Sequence, residues 1–189
     1  MSQVRIAVLV GSIRRDSINR KLALALAALA PQECAFEHVR IDDLPPYNQD
    51  DDANPSEPVK RLKGEVARSQ GLLFVTPEYN RSIPGVLKNA IDLGSRPYGQ
   101  SVWAGKPAGV IGMSGGAIGT ALAQQHLRNI LAYLDVPTLA QPEAFIQNKE
   151  GLMDDKGRIT VDATRRFLQT WMDKYLAWVD LHTQGKAKV

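Results

Sequence analysis

The chain has 189 residues, 44% of them apolar and 23% charged, the balance of a soluble globular protein with room for a sizeable core. Its net charge of +3 comes from scattered Lys and Arg, not from a basic stripe with interleaved aromatics, which argues against a nucleic-acid partner. The one cysteine, Cys34, excludes an internal disulfide and a Cys-based zinc or iron–sulfur centre, and no apolar run suits a signal peptide or a membrane span, so a cytoplasmic location is expected.

In chain order, Val4–Val10 reads as a fully buried strand. Ile18, Leu22, Leu26 and Leu29 then recur at helical spacing until Pro31 stops the helix. Ala35–Ile41 alternates loosely and predicts a more exposed second strand. The stretch 42–58 holds four prolines and six acidic residues with no base, and reads as a solvated loop without the spacing of a calcium site. A charged helix is expected over Val59–Gln70, a third strand over Leu72–Thr76, and a helix over 84–95 with Pro84 near its first turn. Pro107–Met113 predicts a fourth buried strand. Ile118, Leu122, Ile130, Leu131 and Leu134 mark a long helix. Thr138–Gln147 reads as a broken fifth strand. Ala163–Leu181 predicts a last helix with Phe167, Leu168, Trp171, Met172, Tyr175, Leu176 and Val179 inward. Strands alternating with helices predict a single α/β domain over residues 1–189, a doubly wound, five-stranded parallel sheet with helices on both faces. Ligands of such sheets bind at the carboxyl ends of the strands.

Three loops at those ends carry the chemistry. The first, Gly11 to Asn19, joins strand to helix. Ser12, Ser17 and Asn19 offer side-chain donors, Arg14 and Arg15 offer charge, and the helix start at Ile18 offers free N–H groups, a set suited to a terminal phosphate. No Gly-x-Gly-x-x-Gly is present, against a dinucleotide site of the Rossmann type, and Gly105-Lys106-Pro107 is not a Walker loop. The second loop presents Pro77, Glu78, Tyr79 and Asn80, with Arg81 beside them, to the edge of a flat ligand. The third, Ser114-Gly115-Gly116, lets backbone approach a ring closely. In sheet order 2-1-3-4-5 these loops follow neighbouring strands and converge at the switch point, and a phosphate site plus two ring-binding loops describes FMN.

At these residues the chain resembles the NADPH-dependent FMN reductase family, of flavodoxin-like fold, near its bacterial quinone and chromate reductases. The matching elements are Gly11-Ser12-x-Arg14-x-x-Ser17-x-Asn19, the long stretch from Thr76 to Asp92, and Gly105-Lys106-Pro107. Leu44-Pro45-Pro46-Tyr47-Asn48 and Gln125-His126-Leu127-Arg128 are similar to further family elements. The resemblance implies that Ser12, Arg14, Ser17 and Asn19 hold the FMN phosphate, with Pro77, Glu78, Tyr79, Asn80, Ser114, Gly115 and Gly116 along the isoalloxazine. It also implies a homodimer or homotetramer. NADPH or NADH would give a hydride to flavin N5, and two electrons would pass to quinones or other small acceptors, chromate and azo compounds among them; the catalytic role belongs to the cofactor, not to a side chain. Arg81 is a candidate for the open face of the ring, where anionic nucleotide phosphates arrive.

Two other functions compete. A flavodoxin-like electron carrier would not oxidise NAD(P)H itself, and such carriers tend to be acidic, unlike this chain. Gly112-Met113-Ser114-Gly115-Gly116 also fits a nucleophile elbow, which would make Ser114 a hydrolase serine with Asp135 or Asp154 and His182. That reading needs His182 near Ser114, although it lies in the last eight residues, in a tail expected to be mobile. Trp103 is open to a place over the ring, at a subunit contact, or in the core.

Overall fold

The strands are continuous apolar runs because both of their faces are covered. Ile6, Val8 and Val10 point to one side with Leu73, Val75, Ile111 and Met113, while Ala7 and Leu9 point to the other with Leu72, Phe74 and Val110. The period-two alternation of a strand thus feeds two cores, not a core and a solvent face. The computed structural model describes residues 3–154 and 156–184. Its five parallel strands are β1 Val4–Val10, β2 Cys34–His38, β3 Gly71–Val75, β4 Ala108–Ser114 and β5 Phe145–Gln147, in the sheet order β2-β1-β3-β4-β5. Between and after them run α1 Ile18–Ala27, α2 Glu57–Ala67, α3 Gly85–Ser95, α4 Ala121–Tyr133 and α5 Asp162–Gln184. Side chains of α1 and α5 fill one core and those of α2, α3 and α4 the other. This is the flavodoxin-like doubly wound order, with its switch point between β1 and β3.

Beyond shifted ends of α1, which stops at Ala27 short of Leu29, of β2, which is Cys34–His38 and not Ala35–Ile41, and of α2, which stops at Ala67 and not Gln70, the structure departs from the sequence expectations in five places. The acidic, Pro-rich stretch folds a 3₁₀ turn at Gln49–Asp51, and α2 begins earlier, at Glu57, because Pro58 loses nothing in a first helical turn. Ile118 precedes α4 and is exposed; Gly119, at φ +65, turns the chain before the helix can start. The fifth strand shrinks to three residues, and Thr138 keeps only a single bridge to Ala108, since Pro142 removes a donor from the middle of the stretch. Phe167, expected inward, is exposed. Helix α5 runs on to Gln184, so His182 is part of a helix and not of a mobile tail; its Nδ1–H donates to the Trp178 carbonyl at 2.9 Å. Residues 185–189 of that tail lie outside the described residues. Among the described residues no helix is long and apolar enough to cross a membrane.

Candidate functional site

The loops after β1, β3 and β4 are drawn together by backbone bonds and by glycine. The Gly11 N–H donates to the Val75 carbonyl at 2.9 Å, and the Thr76 N–H to the Ile111 carbonyl at 3.0 Å. A Cβ at Gly112 would stand 2.1 Å from the Thr76 carbonyl oxygen and 2.2 Å from Thr120 Oγ1, so only glycine allows this seam to close.

The first loop leaves its donors free. Ser12 is only 7% exposed, yet its hydroxyl makes no hydrogen bond, and Arg14 and Arg15 have no partner among the described residues. Ser17 is the N-cap of α1, its Oγ accepting from the Arg20 N–H at 3.2 Å while its carbonyl accepts from Lys21. The N–H groups of Ile18 and Asn19 are left at the helix start. Asn19 does something the sequence did not reveal. Its amide donates to the Met113 carbonyl and accepts from the Met113 N–H, both at 2.9 Å, and the residue is 1% exposed. The group it still has available is its main-chain N–H. The loop therefore gathers donors and cationic side chains, with Asp16 as its one acid, an arrangement suited to an anion at a helix N-terminus.

The second loop is internally tied. Tyr79 and Ser82 exchange two backbone hydrogen bonds of 3.0 Å across a two-residue turn, with Asn80 at φ 52 and Arg81 at φ 64. Both central residues at positive φ make the primed hairpin turn, which asparagine tolerates and arginine adopts at a cost. Glu78 fixes this hairpin to α4. Its Oε2 accepts from the N–H groups of Leu122 at 3.0 Å and Ala123 at 3.1 Å, supplying the cap that Thr120 does not. Its Oε1 accepts from Arg81 at 3.1 Å, and the Glu78 side chain is only 8% exposed. A carboxylate at the positive end of α4 is electrostatically well placed. Farther along the helix, His126 Nδ1 lies 2.9 Å from Ser82 Oγ. Pro77 is buried, while Tyr79, Asn80 and Arg81 are exposed.

The third loop folds on itself. The Ser114 hydroxyl donates to the Gly119 carbonyl, the Ser114 carbonyl accepts from the Asn148 N–H at 2.8 Å, and Gln147 Nε2 donates to the Gly115 carbonyl at 3.3 Å. Gly115 and Gly116 are a different case from Gly112: a Cβ at either would meet no protein atom nearer than 3.9 Å. Their bareness faces open space, and an added side chain would fill it. The tips of the second and third loops border that space, an open cleft of about 620 Å³.

The nucleophile-elbow reading fails for want of a base. Ser114 donates to backbone carbonyls, His126 is engaged with Ser82, and His182 with Trp178. Trp103 is core: fully buried, it packs on Phe74 with ring centroids 6.1 Å apart and donates Nε1–H to the Ile91 carbonyl. The Leu44–Asn48 loop is sewn to α3 by Asn89, which accepts from the Tyr47 N–H and donates to the Pro45 carbonyl, both at 2.8 Å. Sequence reasoning missed His126, Gln147 and Asn148 as supports. The adjacency of β4 and β5 was the available signal for the last two, since the end of β5 must abut the third loop.

The chain matches the family model described as NADPH-dependent FMN reductase over residues 4–151. It is 56% identical over 176 residues to a 2-hydroxy-1,4-benzoquinone reductase of Burkholderia sp, covering 93% of this chain and 96% of that protein. It is 53% identical over 184 residues to a quinone reductase of Pseudomonas putida, covering 96% and 98%. The solved structure of FerB, a flavoenzyme NAD(P)H:(acceptor) oxidoreductase from Paracoccus denitrificans, superposes with a TM-score of 0.91 at 46% identity, covering 95% of this chain and 98% of that one. With the fold, the three loops and these likenesses in agreement, the chain belongs to the NADPH-dependent FMN reductase family.

Proposed function

We propose that this chain holds FMN across its three loops and acts as an NAD(P)H-dependent reductase of quinones and other small acceptors, chromate and azo compounds included. The observation that carries the reading is the pairing of a first loop full of free donors with a cleft bordered by bare glycine backbone. Bound FMN would supply the redox chemistry, taking a hydride from NADPH or NADH and passing two electrons to the acceptor. The chain's own residues hold and shape. The Ser12 hydroxyl, the Arg14 guanidinium, Ser17 and the main-chain N–H groups of Ile18 and Asn19 would bind the phosphate. Pro77 and the backbone of residues 78–80 would meet one edge of the ring, with Ser114, Gly115 and Gly116 opposite. Glu78 contributes by locking that hairpin to α4, and Arg81 at the hairpin tip would draw anionic nucleotides toward the cleft. We read the protein as a single cytoplasmic domain working as a homodimer or homotetramer. The names of the relatives support the acceptor class, and the net positive charge speaks against a pure electron carrier.

The purified protein should show the visible absorption of bound flavin, bleach anaerobically on addition of NADPH or NADH, and recover its colour when a benzoquinone is added. A protein that binds no FMN, or whose bound flavin neither nucleotide can reduce, would overturn the assignment.

A further inference from the structure

A second cleft, of about 400 Å³, opens between α1 and the end of β2 and shares Ser12 with the first loop. Its floor is apolar, built from Leu24, Val39 and Ile41. Leu24 is 54% exposed, although Leu22 and Leu26 on the same helix are fully buried, so an apolar side chain is left bare where the cleft lies. Arg20 and His38 stand on the rim. The Arg20 guanidinium makes no hydrogen bond or ion pair among the described residues. Arg40, which also lines the cleft, is already engaged by Asp42 at 3.1 Å and Asp43 at 3.7 Å, so Asp42 brings no uncompensated charge. His38 is exposed on that rim; local desolvation, and then the charge of Arg20, hold its ring below its ordinary value. An apolar floor beneath one unpaired guanidinium suits a flat heteroaromatic base that carries a phosphate.

We propose that this cleft takes the adenosine 2′-phosphate end of NADPH, and that Arg20 is the residue that distinguishes NADPH from NADH. The placement is consistent with the sheet. The ring loops follow β3 and β4, whereas the cleft lies at β1 and β2, about two strand spacings or roughly 10 Å away, which a dinucleotide spans through its pyrophosphate. The monoester phosphate of the 2′ position is what NADH lacks, and a guanidinium with nothing else to bind is the group that reads it. The inference rests on the NAD(P)H-dependent activity proposed above.

Two measurements on the flavin-loaded protein test it. By calorimetry, the wild type should bind adenosine 2′,5′-bisphosphate at least about tenfold more tightly than 5′-AMP, Arg20→Ala should abolish that difference, and Arg20→Lys should retain part of it. In steady state, the ratio of KM for NADPH to KM for NADH should rise about tenfold in Arg20→Ala, at wild-type flavin content. A wild type that binds the two adenosine phosphates equally, or an Arg20→Ala protein in which neither ratio moves, would sink the proposal. Failure of both nucleotides to reduce the flavin would overturn the activity instead, since calorimetry judges the cleft separately.

Discussion

The first loop and the pair formed by the second and third loops are built in opposite ways. In the first, the Ser12 hydroxyl and the Arg14 and Arg15 guanidinium groups have no partner among the described residues. In the pair, the polar side chains that fix the loops are committed: Glu78 to α4 and Arg81, Ser82 to His126, Ser114 to Gly119, while Tyr79 and Asn80 at the hairpin tip are exposed. The difference separates two tasks. A phosphate is recognised by charge and donors, which water can serve until a ligand arrives. A ring is recognised by shape, and a surface that must keep its shape has to be fixed beforehand, so that binding does not also bear the cost of ordering it. On this view, substitutions in the first loop should weaken FMN and spare the fold, whereas those in the locked pair should weaken the fold.

Asn19 gives the largest expected effect because it crosses the division. It sits beside the first loop but belongs to the locked part through its two bonds to Met113. Asn19→Ala would leave a buried peptide donor and a buried acceptor unpaired. At about 1–3 kcal/mol each, partly offset by relaxation, the loss should be about 3 kcal/mol. Denaturant unfolding of the flavin-free protein measures it. A loss below about 1 kcal/mol together with a large loss of flavin affinity would return Asn19 to the phosphate and undo the comparison.

Ser12→Ala and Arg14→Ala should show the opposite signature. Each should leave the stability of the flavin-free protein within about 0.5 kcal/mol, because each residue lacks a protein partner to lose. Each should raise the FMN dissociation constant by about tenfold or more, the value of one charge-assisted hydrogen bond. Titrating FMN into the flavin-free variants and following the change in flavin fluorescence gives the constant directly. Destabilisation without any change in FMN affinity would mean that the free donors serve the fold.

The same contrast explains what the sequence could and could not disclose. β1, β3 and β4 were legible because burial on both faces leaves an apolar run that no polar residue interrupts for long. The loops were legible because Ser, Gly, Pro and Asn concentrate at the ends of those runs. The strand order was not legible in the connections alone, because right-handed, short crossovers allow more than one doubly wound order; it came with the flavodoxin-like resemblance. Hidden from the sequence was the use of side chains across long separations. Nothing around Asn19 announces a partner 94 residues away, and nothing around Glu78 announces that it caps a helix 44 residues on. Glu78 and Asn19 look like ligand-binding groups in a linear reading because any unpaired polar residue in a loop does. Likewise β5 was overextended because Thr138 to Gln147 has strand composition, while Pro142 within it breaks the ladder and leaves three residues of strand.

Arg81 offers the smallest and most discriminating test. It holds a left-handed φ of 64 in a turn whose preferred sequence is Asn-Gly, and the preceding residue is already Asn80. Arg81→Gly should relieve about 1 kcal/mol of backbone cost, against the loss of an ion pair whose arginine end is exposed and whose carboxylate keeps its two bonds to α4, worth about 0.5 kcal/mol. The variant should therefore be slightly more stable, by about 0.5 kcal/mol, or roughly 1–2 °C in Tm for a chain of this size. If the arginine is kept because it draws anionic nucleotides to the cleft, the same variant should show a higher KM for both NADPH and NADH. A more stable protein with unchanged KM values would leave Arg81 without a role at the cleft. A clearly less stable one would show that the Arg81 pair is part of the lock, and that the rigid half of the site extends to the tip of its hairpin.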